Sequence, residues 1–104
     1  MNELAWAAGV FEGEGCIRLT TTNGSTYGRL CMNMTDYDVM ERFHKIMGGN
    51  FRNAGKLPSG KTKWDWDIGQ TKLVRLALIK LLPFLGNRRA HKALDVLDHI
   101  ELND

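Results

Sequence analysis

The chain has 104 residues, 43% of them hydrophobic and 25% charged, with a formal net charge of +2. This suits one globular domain over residues 1–104 and excludes a disordered polyelectrolyte. No run is apolar and long enough to cross a membrane, and no leader precedes the first predicted helix, so the expected setting is intracellular with both cysteines reduced.

Residues 4–16 predict a helix that stops abruptly. Ala5, Ala7 and Ala8 favour helix, Asn2 can cap its start, and Gly13 and Gly15 can end it in a left-handed turn. Glu12 and Glu14 fall at the C-terminal end, where the helix dipole is negative. A carboxylate there calls for compensation, and a divalent cation is the obvious candidate. Ala5, Gly9 and Gly13 recur every fourth residue and make a stripe with almost no side chain, along which a second helix can approach closely. A second copy of the same helix is the simplest partner.

Residues 16–22 and 27–34 alternate in polarity around Asn23-Gly24, a strong hairpin signal. Ile17, Leu19, Leu30, Met32 and Met34 form one face and suit a core. The opposite face carries Arg18, Thr20, Thr22, Tyr27, Arg29, Cys31 and Asn33, and a two-residue turn sets Cys16 opposite Cys31. Thr35 with Asp38 reads as a capping box for a helix to about Met47, ended by Gly48-Gly49.

A short strand over residues 50–55, a turn at Leu57-Pro58-Ser59-Gly60 and a strand over 61–68 make a second hairpin. Trp64, Trp66 and Ile68 face inward; Lys61, Lys63, Asp65 and Asp67 face outward. An apolar helix follows, with Leu73, Val74, Leu76, Ala77 and Ile79 in its register, broken at Pro83 and Gly86. A last helix spans about Asn87–Leu102, with Ala90, Leu94, Leu97 and Ile100 expected inside. The predicted fold is α+β, order αββαββαα. Its four-stranded antiparallel sheet is covered by helices on one face and left polar on the other.

That polar face carries more cations than acids, as suits a polyanion, and a β-ribbon fits the major groove of DNA. Asp65 and Asp67 oppose phosphate, so they read either as base readers or as partners for Lys61 and Lys63. His44, His91 and His99 have no metal-ligand spacing.

Ala7 to Gly15, Ala-Ala-Gly-Val-Phe-Glu-Gly-Glu-Gly, resembles the signature motif of the LAGLIDADG homing endonucleases, with Glu at both acidic positions. The element order, the Thr35-Asp36 step after the second strand and Leu82-Pro83-Phe84-Leu85 followed by Arg88 extend the resemblance over nearly the whole chain, to the single-motif type.

The resemblance implies Mg²⁺-dependent double-strand DNA cleavage by a homodimer on a long pseudo-palindromic site, with Mn²⁺ or Ca²⁺ able to replace Mg²⁺ in binding. It sets Glu14, with Gly13, at the metal. Asp36 falls where a polar residue orders the attacking water, and Arg88 on a supporting basic residue; many relatives carry Gln and Lys there. It sets Cys16, Arg18, Thr20, Thr22, Tyr27, Arg29, Cys31, Asn33, Asn50, Arg52, Lys63, Asp65 and Asp67 against DNA, with Lys61 on the same surface. Ala5, Ala8, Gly9, Glu12 and Gly13 would line the dimer seam. The alternative is a DNA- or RNA-binding relative, a maturase or regulator, that keeps the fold without cutting.

Overall fold

The computed structural model describes residues 2–103. In chain order the elements are α1 (Glu3–Glu14), β1 (Gly15–Thr22), β2 (Ser25–Met34), α2 (Tyr37–Met47), β3 (Asn50–Lys56), β4 (Thr62–Ile68), α3 (Thr71–Leu81) and α4 (Asn87–Asn103), with a 3₁₀ turn at Leu82–Phe84. The order is the predicted αββαββαα. The strands form one antiparallel sheet in the order β1-β2-β4-β3. The two hairpins therefore join through their second strands. No helix among the described residues is long and apolar enough to cross a membrane.

Alternation decides which face is covered. Ile17, Leu30, Met32, Trp66 and Ile68 turn inward, and Phe11, Met40, Phe43, Val74, Ala77, Leu78, Leu81, Ala93, Val96 and Ile100 come down from the helices. Phe43 meets Trp66 edge-on at 4.7 Å between centroids, and Phe11 stacks on Phe43 at 6.4 Å. Such aromatic pairs add about 0.5–1.5 kcal/mol each beyond the area they bury. The Trp66 indole N–H donates to the Gly48 carbonyl at 2.6 Å, so this buried ring leaves no donor unpaired. Arg42 ties α2 to α1: it bonds Glu3 at 2.8 Å and lies 3.9 Å over the Trp6 ring.

Asn2 caps α1 by accepting from the Ala5 N–H at 3.2 Å. The other end of α1 differs from the expected left-handed stop. Gly15 is extended (φ −83°, ψ 166°), and the helix runs directly into β1. A Cβ at Gly15 would strike the Phe11 ring, so the glycine is required for space and not for its backbone angle. The hairpin turn follows expectation, with positive φ at Asn23 (52°) and Gly24 (80°).

Three further registers differ. The N-cap of α2 is Asp36 and not Thr35, and no side-chain bond closes the cap. In α3 the buried line is Val74–Ala77–Leu78–Leu81, which leaves Leu73, Leu76 and Ile79 about half exposed. In α4 it is Ala93–Val96–Ile100, with Leu97 partly covered and Leu94 outside. Gly28 of β2 lets α4 lie close on the sheet, since a Cβ there would strike Val96.

Candidate nucleic-acid interface and hydrolytic site

The sheet face away from the helices is built in rows. Cross-strand register aligns Cys16, Cys31, Asp67 and Asn50 in one row, and Asn33, Asp65 and Arg52 in the next. Arg18 pairs with Arg29, Thr20 with Tyr27 and Thr22 with Ser25. All the strand residues assigned to DNA therefore share one side of the sheet. Lys63 belongs to β4, and Lys61 sits exposed just before it. The Cys16 and Cys31 thiols are free. Burial, and then the neighbouring Cys16, pushes the Cys31 thiol up.

Arg29 and Arg52 converge on Asp67, where the alternative partners were Lys61 and Lys63. Arg29 Nη2 donates to Asp67 Oδ2 at 2.8 Å, Arg52 reaches both carboxylate oxygens at 3.4–3.5 Å, and Asn50 Nδ2 donates at 3.1 Å. The reason is geometric. Lys63 is four residues away along β4, whereas β2 and β3 flank Asp67 one strand spacing to each side, within reach of an arginine. Burial alone would raise the Asp67 pKa. Bonds from Arg29, Arg52 and Asn50 outweigh it and hold the carboxyl below its usual range.

At one end of the sheet, Glu14 and Asp36 line the same groove of about 600 Å³, with Gly9, Gly13 and Asn33. Glu14 is exposed at the end of α1 and, among the described residues, no bond or ion pair occupies its carboxylate. Asp36 keeps its carboxylate uncommitted because it does not close the α2 cap. Arg88 lines a second groove with Gly15, Cys16 and Ile17, together with Lys92, a cation not singled out in the sequence. The junction Glu14-Gly15-Cys16 thus has acids on one side and cations on the other.

Ala8 and Glu12, expected at the seam, are both engaged within the chain itself. Ala8 is fully buried in the chain's own core. Glu12 accepts from the Gly86 backbone N–H and from Arg89 Nη1 (2.9 Å), while Arg89 Nη2 donates to the Gly15 carbonyl at 2.7 Å. Arg89 therefore supplies the cation that a carboxylate at this helix end demands, and it pins α1 to the start of α4. The sequence signal was the unpaired Glu12 itself; its partner lies 77 residues away and could not be chosen between Arg88 and Arg89. Gly9 and Gly13 remain exposed, with open space where each Cβ would stand, and Ala5 is half-buried.

The Gly86 bond, then Arg89, holds the Glu12 carboxyl below its usual range. A carboxyl lowered by folding stabilises the native state above its unfolded pKa, and loses that contribution as pH falls through the lowered value. Wild type should therefore lose thermal stability faster than Glu12→Gln between roughly pH 5 and pH 2. Melting curves across that range check it; parallel curves would contradict the clamp.

No family model and no curated protein sequence matches the chain. Solved structures do. The homing endonuclease I-CvuI, in complex with its target in the presence of calcium, matches at 25% identity with a TM-score of 0.75, over 95% of this chain and 66% of that one. The LAGLIDADG meganuclease I-AabMI, bound to uncleaved DNA, matches at 16% identity with a TM-score of 0.78, over 98% of this chain and 37% of that one. The chain has the fold of the LAGLIDADG homing endonucleases. A further member, I-TnaI, matches at 18% identity with a TM-score of 0.64, over 93% of this chain and 70% of that one. The chain thus spans just under two thirds of I-CvuI and little over a third of I-AabMI. In LAGLIDADG terms, α1 with its junction to β1 carries the stretch that resembles the motif.

Proposed function

We propose that this chain is a site-specific double-strand DNA endonuclease that acts as a homodimer on a long pseudo-palindromic site, by divalent-metal-assisted hydrolysis. The observation that carries the reading is the shared groove: Glu14 and Asp36 open onto one space beside the bare Gly9–Gly13 stripe, at the end of an arginine-bearing sheet. I-CvuI and I-AabMI, which share the fold, are both held on DNA.

The donors suit a hard cation. They are carboxylate and backbone oxygens at the negative end of a helix. Among the described residues no three acidic, histidine or cysteine side chains cluster as a closed cage. Mg²⁺ needs no such cage, because it keeps several waters and takes one or two carboxylates plus substrate phosphate. Glu14, beside Gly13, would hold it. When bound, the cation neutralises developing phosphate charge and makes water a stronger nucleophile.

The chain's own groups do the rest. Asp36 orients a water and accepts its proton as the water oxygen bonds to phosphorus; the P–O bond to the sugar oxygen breaks, and that oxygen takes a proton from solvent water. Arg88 brings a guanidinium, which offsets phosphate charge and serves as no base. Arg18, Arg29, Asn33 and Arg52, which share the polar face of the sheet, would meet base edges and phosphates. One motif gives one set of acids, so both strands are cut only when two chains pair.

The test is cleavage selection. The purified chain is incubated with Mg²⁺ and a randomised duplex library, and the new ends are sequenced. One long site with two-fold character is expected. Retained duplex binding with no cutting at any site would contradict the reading and leave a non-cleaving binder.

A further inference from the structure

We infer that Asp67 is a positioning residue for sequence readout: it holds Arg29 in the pose that reads a guanine, and does not itself contact a base. The inference rests on the DNA-binding reading above and adds which residue reads and which supports it. Asp67 lies beneath its partners: its side chain is 15% exposed, against 29% for Arg29 and 50% for Arg52. An ionised carboxylate has about four acceptor sites. Here they are met by one bond from Arg29, two from Arg52 and one from Asn50. Nothing is left for a cytosine amino group, the base donor that a free aspartate would read.

The two arginines are not equivalent. Arg52 turns both Nη atoms to Asp67, so the end of its fork is occupied. Arg29 gives Asp67 only Nη2, at the shortest distance in the cluster, 2.8 Å. The rest of its fork can meet guanine O6 and N7, the commonest specific contact of arginine. Arg52 and Asn50 on β3 hold the carboxylate from the side opposite Arg29, so Arg29 is fixed from across two strands.

Binding selection from randomised duplexes, without an activating metal, tests this on wild type, Arg29→Ala and Asp67→Asn, with melting temperature followed throughout. Wild type should select a guanine at one position in each half-site. Arg29→Ala should lose it. Asp67→Asn should lose about tenfold of the same preference, while affinity for random duplex holds or rises because a negative charge has gone. A purely structural role would instead weaken binding at every position. Unchanged guanine preference in Asp67→Asn, or loss of a cytosine preference in its place, overturns the inference. If wild type selects no sequence, the failure lies in the DNA-binding reading, appears before any variant is compared, and removes this inference with it.

Discussion

Glu14→Gln is expected to lower DNA cleavage by about a thousandfold and leave duplex affinity at or above the wild-type level. The carboxylate is exposed, stands at the negative end of α1, and makes no bond to another described residue. Gln keeps its size and removes only the charge. The fold therefore loses nothing, whereas a site that must hold a divalent cation loses its anionic ligand. Removing the cation with a chelator should reproduce the effect on wild type and add little to the variant. Plasmid-cutting time courses beside gel shifts check both halves. Full cutting by Glu14→Gln would end the assignment of Glu14 to the metal. Weakened binding would mean the residue supports the fold or touches DNA instead.

Gly9→Leu and Gly13→Leu are expected to separate the two chains without unfolding either. In the single chain a Cβ at either position meets nothing within 4 Å. A glycine inside a helix costs about 0.8–1.0 kcal/mol relative to good helix formers, so the isolated chain should gain about that much. Two bare stripes that face each other across a two-fold axis have no room for a leucine, and overpacking of a close interface costs about 1–3 kcal/mol per site or more. Both copies carry the change, so association should weaken at least about thirtyfold, taking double-strand cutting with it. Sedimentation and circular dichroism read the two effects separately. A leucine variant that pairs and cuts as wild type does would place the seam elsewhere.

Much of this was legible from local chemistry. Alternation around Asn23-Gly24 placed β1 and β2, and Trp64-Asp65-Trp66-Asp67 placed the two faces of β4. Both depend on neighbours in the chain. The misses share another cause. Whether Gly15 ends α1 by a left-handed turn or by making room for Phe11 depends on a ring packed from one helical turn away. Leu94 looked inward by period, yet Val96 faces Gly28 of β2, and that close approach sets how α4 is rotated. Glu12 and Asp67 each showed a charge in need of a partner. Their partners, Arg89, Arg29 and Arg52, come from other elements, and only the folded chain chooses among the available cations. The second groove likewise needed the fold, since Lys92 reaches Gly15 and Cys16 from α4.

The mass of the protein–DNA complex on the selected site, measured by native mass spectrometry, bears most directly on the claim that two chains bring their acids to the two strands. The account predicts one duplex with two copies of the chain, reduced to free duplex and single chains by Gly13→Leu. One copy on a duplex that is nonetheless cut through both strands would contradict it.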